Sequence, residues 1–173
     1  VDDKNIGVIK MEVVRNMGPK NEFLKKVRKL ATDKGIVLIF DECTSGFRET
    51  FGGIHIKYDT EPDIAMFGKA LGNGYAITAV LGREDVMEAA QNTFISSTFW
   101  TERIGPTAAI KTLEVMDSVK SWDIITQTGL QIRKRWQLLA DQHGLGIKHW
   151  GLPSLTGFSF QSENALAYKT LIT

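Results

Sequence analysis

Cysteine is almost absent from this sequence. The single thiol, Cys43, excludes an internal disulfide framework and fits a reducing compartment. Long apolar runs are missing too: nothing approaches the roughly 20 residues needed to cross a bilayer. The start, Val1-Asp2-Asp3-Lys4, is no secretory signal, so no membrane partner is expected and the chain reads as cytoplasmic. There is no excess of one charge. With 21 basic and 20 acidic side chains the net charge is +1, which gives no footprint for nucleic acid or an anionic surface. The three histidines show no metal-ligand spacing, and no metal is expected. Neither repeats nor low-complexity tracts occur. What remains, 173 residues with 43% hydrophobic content, suffices for one sizeable domain.

The chemistry is concentrated between Ile36 and Gly74. Ile36-Val37-Leu38-Ile39-Phe40 reads as a strand buried on both faces, and it stops at Asp41-Glu42. Carboxylates directly after an apolar strand sit at its C-terminal end, where open α/β sheets place their ligand crevices. A second apolar piece, Ile64-Ala65-Met66-Phe67, delivers Gly68-Lys69 to the same edge, so an acid and an amine face one pocket. An imine-forming lysine needs its amine free of a proton part of the time, which a partly desolvated strand end favours. Pyridoxal phosphate chemistry needs such a lysine, together with a carboxylate that keeps the pyridine nitrogen protonated. From spacing alone the plainer alternative stays open, in which Asp41 caps a turn and Lys69 is solvated.

Three segments narrow this. In order and spacing, Asp41-Glu42-Cys43-Thr44-Ser45-Gly46-Phe47-Arg48, Pro62-Asp63-Ile64 and Gly68-Lys69-Ala70-Leu71-Gly72-Asn73-Gly74 resemble the signature of class III pyridoxal-phosphate-dependent aminotransferases. Within that family the chain looks most like the glutamate-1-semialdehyde 2,1-aminomutase branch. The resemblance implies an α/β fold: a mostly parallel sheet flanked by helices, the large domain of a fold-type I transferase, followed by the start of a small α+β C-terminal domain. It implies pyridoxal 5'-phosphate as cofactor, Lys69 as its Schiff-base partner and proton carrier, and Asp41 at the ring nitrogen. Cys43 would pack against the ring, and Thr44 stands where several relatives contact the ring oxygen with a longer side chain. Arg48 is expected to pair with a carboxylate.

Other site residues follow from the same resemblance. Glu12-Val13-Val14-Arg15-Asn16-Met17-Gly18 matches a loop whose Asn reaches the phenolic oxygen of the ring, so Asn16 is the candidate; Val13 stands where a proline is usual. Asn16 as an ordinary turn former is the alternative. In the loop before Pro106, a threonine of the family crosses a homodimer interface to the neighbour's cofactor phosphate. Thr98 is the candidate, Ser97 or Thr101 are the substitutes, and an ST-turn without ligand is the alternative. The substrate would be a small amino or oxo compound.

The remaining elements follow from pattern. A strand over Val8 to Val14 precedes an amphipathic helix over Lys20 to Lys34, whose basic residues form a solvated face; with the Ile36 strand this makes a βαβ unit with parallel strands. Ala76 to Leu81 reads as a strand and Val86 to Gln91 as a short helix. Helices from Pro106 and over Trp122 to Gln142 follow, the second presenting Ile125, Ile132, Trp136 and Leu139 on one face. Two strands lie after Gly144. The expected division is 1–118 for part of the large domain, 119–143 for a connecting helix and 144–173 for the start of the small domain. With no initiating Met, the chain reads as the middle of a longer protein, and alone it is expected to hold cofactor weakly. A truncated, non-catalytic paralogue is the alternative. A phosphate-loop ATPase would need G-x-x-x-x-G-K-[ST] upstream of Asp41-Glu42, and a dinucleotide fold would need G-x-G-x-x-G after the first strand; neither is present.

Overall fold

The computed structural model describes residues 5–96 and 98–172. Four strands, β1 (Val8–Glu12), β2 (Val37–Asp41), β3 (Ile64–Phe67) and β4 (Ala79–Gly82), form one sheet in sequence order. The first three run parallel and β4 returns antiparallel along β3, as an α/β chain with a mostly parallel sheet requires. Helix α1 (Phe23–Lys34) connects β1 to β2 and closes on Gly35, whose φ of 65° suits a residue without Cβ.

Burial along β2 alternates. Leu38 and Phe40 are fully buried, whereas Val37 and Ile39 are half-buried, so one face is sealed and the other only partly covered; the expected two-sided burial is not what the strand shows. The sealed face packs with Val13, Val14, Leu24, Ala31 and Ile54. Burial of Val13 and Val14 ends the first strand early, at Glu12, because the chain turns there into the core. A second cluster joins Ala65 and Phe67 of β3 to Leu71 and Ala109.

Helix α2 (Glu84–Met87) is a single turn continued as a 3-10 segment, Glu88–Asn92. Helix α3 (Ile104–Val119) is started by Glu102, whose carboxylate accepts the N–H groups of Ile104 and Gly105 and so places negative charge at the helix N-terminus. Lys120, in the left-handed region at φ 51°, breaks α3 from α4 (Ser121–Gln142). The buried positions of α4 are Gly129 and Ala140, while Ile132 and Leu139 of the expected apolar stripe are exposed. The reason is close approach: a Cβ on Gly129 would collide with the Pro153 carbonyl. Strands β5 (Ile147–Trp150) and β6 (Gly157–Phe160) pair antiparallel around a 3-10 turn, Pro153–Leu155, and α5 (Ala165–Ile172) follows.

The basic face of α1 is also only partly solvated. Arg28 turns inward to Asp63, donating from Nη1 to Oδ2 at 2.9 Å. Asp63 is buried at the start of β3 and additionally accepts the Leu38 N–H at 2.7 Å and Arg83 at 2.8 Å. Burial pushes its carboxyl up, but these donors outweigh that and hold it below the usual range. Asp63 thus ties α1, β2 and β4 to the strand that carries Lys69.

Candidate active site

Asp41 is the last residue of β2 and lies in register with Met66 of β3, two residues before Gly68. The turn after Asp41 is fixed from beneath by Glu42. This carboxylate is fully buried, accepts Ser45 Oγ at 2.5 Å and the His55 N–H at 3.0 Å, and lies 2.9 Å from His55 Nδ1. Burial raises the Glu42 carboxyl, yet the hydrogen bonds from His55 and Ser45 more than offset it and hold the group ionised. Enclosed in this way, Glu42 has no access to a metal-bound water, which removes the ATPase reading of Asp41-Glu42. Gly46 completes the turn because a Cβ there would stand 2.9 Å from the Phe67 ring and 2.7 Å from the Glu42 carbonyl.

The strand ends converge on Cys43. Its Sγ–H donates to the Met66 carbonyl at 3.8 Å, and a Cβ on Gly68 would lie 3.3 Å from the sulfur. Burial, first, and the neighbouring Asp41 push the thiol up, so it is a neutral packing group and not a thiolate. Lys69 follows Gly68 with φ 46°, in the left-handed region that a residue with a Cβ enters at a cost of about 1 kcal/mol or more. Its Nζ donates to Thr44 Oγ1 at 2.9 Å. Thr44 therefore meets the amine.

Asp41 accepts Lys10 Nζ on Oδ2 at 2.8 Å and the Cys43 N–H on Oδ1 at 3.2 Å. The Lys10 hydrogen bond is the main cause that holds the Asp41 carboxyl below its ordinary value, despite partial burial. The sequence reading missed Lys10. Its signal was a lone cation inside the apolar run Ile6 to Met11, on the strand that pairs with β2.

The fold brings Asp41, Cys43, Thr44 and Lys69 together. Asn16 lies outside that cluster: it is exposed, and its carbonyl accepts the Gly151 N–H at 2.8 Å. Thr98 is exposed in the turn before α3, beside exposed Phe94, Ile95, Phe99 and Trp100. Thr101 is exposed in the same turn, and Ser97 lies outside the described residues. Arg48, expected in an ion pair, has none among the described residues, and its Nε is buried without a hydrogen-bond partner. A cavity of about 1070 Å³ is bounded by Lys69, Tyr75, Arg103 and Lys111 among others, but not by Asp41. Lys69 therefore stands between the strand-end cluster and this cavity. Among the described residues no cluster of metal-ligating groups occurs, and no helix is long and apolar enough to cross a membrane.

Known structures share this fold. The FumI protein of Sphingopyxis sp. MTA144, solved in its PLP internal-aldimine form, superimposes with a TM-score of 0.88 over 94% of this chain and 41% of its own length, at 25% identity. Ornithine aminotransferase of Toxoplasma gondii matches with a TM-score of 0.78 over 93% of this chain and 39% of its own, at 27% identity. The architecture is that of a fold-type I PLP-dependent transferase. The chain belongs to the class III aminotransferase family, whose model, Aminotransferase class-III, matches residues 12–163. Among curated proteins, 3-aminobutyryl-CoA aminotransferase of Cloacimonas acidaminovorans is 36% identical over 90% of this chain and 38% of its own length. Glutamate-1-semialdehyde 2,1-aminomutase of Thermodesulfovibrio yellowstonii is 32% identical over 98% and 42% respectively. The chain thus spans about two fifths of the length of these curated relatives.

Proposed function

We propose that this chain supplies the strand-end part of a pyridoxal 5'-phosphate site, and that the intact protein transfers an amino group. The acceptor is either a second oxo compound or the adjacent carbon of the same molecule, as the name of the aminomutase relative describes. The observation that carries this is the meeting of Lys69 and Asp41 around Cys43 at the ends of adjacent parallel strands. The donor set suits the cofactor: among the described residues Lys69 faces a hydroxyl and no carboxylate, while Asp41 is held ionised.

When bound, pyridoxal phosphate supplies the electron sink that lets a substrate Cα–H bond break. Lys69 Nζ would be the atom that holds the cofactor, at its aldehyde carbon with the aldehyde oxygen leaving as water. With its amine free, Lys69 Nζ would take and return the proton at the substrate carbon. Asp41 would accept the ring N–H, and the neutral Cys43 thiol would pack against the ring. Thr44 holds the free amine in place, and Asn16 is assigned to the ring's phenolic oxygen.

Thr98 is assigned to the phosphate of a neighbour's cofactor in a homodimer. The exposed apolar side chains around it support this reading, because a patch of that kind calls for cover. Residues 1–118 belong to the large domain, 119–143 to a connecting helix and 144–173 to the small domain, a division supported by the separate β5–β6 sheet. The protein acts in the cytoplasm.

Borohydride reduction of the intact protein with pyridoxal phosphate, followed by peptide mapping, tests the assignment. A reduced adduct on Lys69 that disappears in Lys69→Ala is the expected result. An adduct on another lysine, with wild-type turnover in Lys69→Ala, removes Lys69 from the mechanism; no adduct at all favours a non-catalytic paralogue.

A further inference from the structure

Lys10 is the one charged residue of β1 that reaches across to β2. Register explains how. Lys10 pairs with Ile39 and Glu12 with Asp41, and with side chains alternating along a strand these four lie on one face of the sheet. The ammonium therefore reaches Asp41 diagonally, from one step nearer the N-terminal ends of the strands. Glu12, on the same face, lies 3.4 Å from Arg15 and so does not draw Lys10 away. The two oxygens of Asp41 are divided: Oδ2 takes Lys10 at 2.8 Å, while Oδ1 takes the longer Cys43 N–H at 3.2 Å and the Cys43 thiol lies beside the same carboxylate, so Oδ1 is the less firmly held of the two. The Lys10 side chain is 52% exposed and that of Asp41 23%, so the pair adds little to stability. Its consequence is at the carboxylate itself.

We propose that Lys10 is a positioning residue for Asp41: it clamps Oδ2 from the sheet side, leaves Oδ1 to receive the ring N–H of a pyridine cofactor, and by its charge moderates how firmly that ring keeps its proton. This rests on the role given to Asp41 under Proposed function. A carboxylate without Lys10 would swing between rotamers and would face the ring with its full negative charge. Paired with Lys10, it presents one fixed oxygen and a partly neutralised field. The ring then withdraws electrons with a strength set by two residues.

Lys10→Met and Lys10→Arg in the intact protein separate this from an ordinary surface ion pair. With ¹³Cγ-labelled aspartate and no cofactor, the Asp41 titration midpoint should move up in Lys10→Met, because the cation that favours the carboxylate is gone, and return in Lys10→Arg. With ¹⁵N-labelled pyridoxal phosphate bound, the ring-nitrogen signal should move toward the protonated pyridinium position in Lys10→Met and lie at the wild-type position in Lys10→Arg. An unmoved Asp41 midpoint overturns the clamp. A moved midpoint with an unmoved ring signal overturns the influence on the ring. Failure of the wild-type protein to retain the labelled cofactor overturns the reading of Asp41 and this one with it, and is told apart because the carboxylate titration is read without cofactor.

Discussion

Replacing Asp63 by alanine should remove a large share of the stability of this fold, and the share can be worked from its partners. Alanine leaves the buried Leu38 N–H, bonded at 2.7 Å, without an acceptor, which costs about 1–3 kcal/mol. It also strands Arg28, whose side chain is 22% exposed against 5% for Asp63; breaking a buried pair costs about 3–5 kcal/mol, and the partial access of Arg28 to water places this one at or below the low end. Arg83 is 58% exposed and finds water and Asp85 instead, so it adds nothing to the sum. Taking about 2 kcal/mol for each of these two terms, the total is about 4 kcal/mol, against a whole-domain stability of about 5–15 kcal/mol. Urea unfolding at pH 7 should show a midpoint lower by roughly 2 M with an unchanged slope, taking a slope of about 2 kcal/mol per M. The acid limb checks the cause. Asp63 titrates below its unfolded value of 3.8 in the native state, so its contribution is complete above that value and lost as the pH falls through the native one. The gap between wild type and Asp63→Ala should therefore be constant near neutrality and narrow in acid below about pH 4. A loss under about 1 kcal/mol at pH 7, or a gap that stays constant into strong acid, would refute the argument that paired charge holds β3 in place.

Asp41→Asn should leave the fold intact while lowering the rate of the intact enzyme by orders of magnitude, each tenfold being about 1.4 kcal/mol in the barrier. Steady-state turnover measures it, and an unchanged rate removes Asp41 from the ring nitrogen. Gly129→Ala should destabilise by about 1–3 kcal/mol, because the added methyl meets the Pro153 carbonyl and α4 must move off its partner. Gly7→Ala, with open space around the new Cβ, is the control. Equal melting temperatures for the two variants would contradict the close packing of α4.

Sequence made legible what depends on neighbours along the chain. The strand Ile64–Phe67 and the delivery of Lys69 after it follow from an apolar run ended by Gly68, and the parallel pairing of β1 with β2 follows from the helix between them. Contacts across many residues were not legible. Arg28 sits in a run of cations that reads as solvated, and only the fold shows Asp63, 35 residues on, turned to meet it. Lys10 is silent for the same reason, since its partner is 31 residues away on another strand. The stripe on α4 held in part: Ile125 and Trp136 are half-buried, Trp136 against Phe158 and His149, while Ile132 and Leu139 are exposed and the fully packed positions are the small residues Gly129 and Ala140.

The loop at Asn16 carries the same lesson. Its loop has a valine at position 13 where the resemblance led to a proline, so local stiffness cannot be what fixes it. Two distant groups do so instead. Val13 and Val14 are buried in the core against which Leu152 packs, and the carbonyl of Asn16 accepts the Gly151 N–H at 2.8 Å. Arg133 of α4 fastens the same turn by donating to the Gly151 carbonyl at 2.7 Å and to Thr156 Oγ1 at 2.6 Å. The backbone at Asn16 is thus set by the β5–β6 hairpin, about 135 residues later in the chain, with covalent rigidity replaced by tertiary contact.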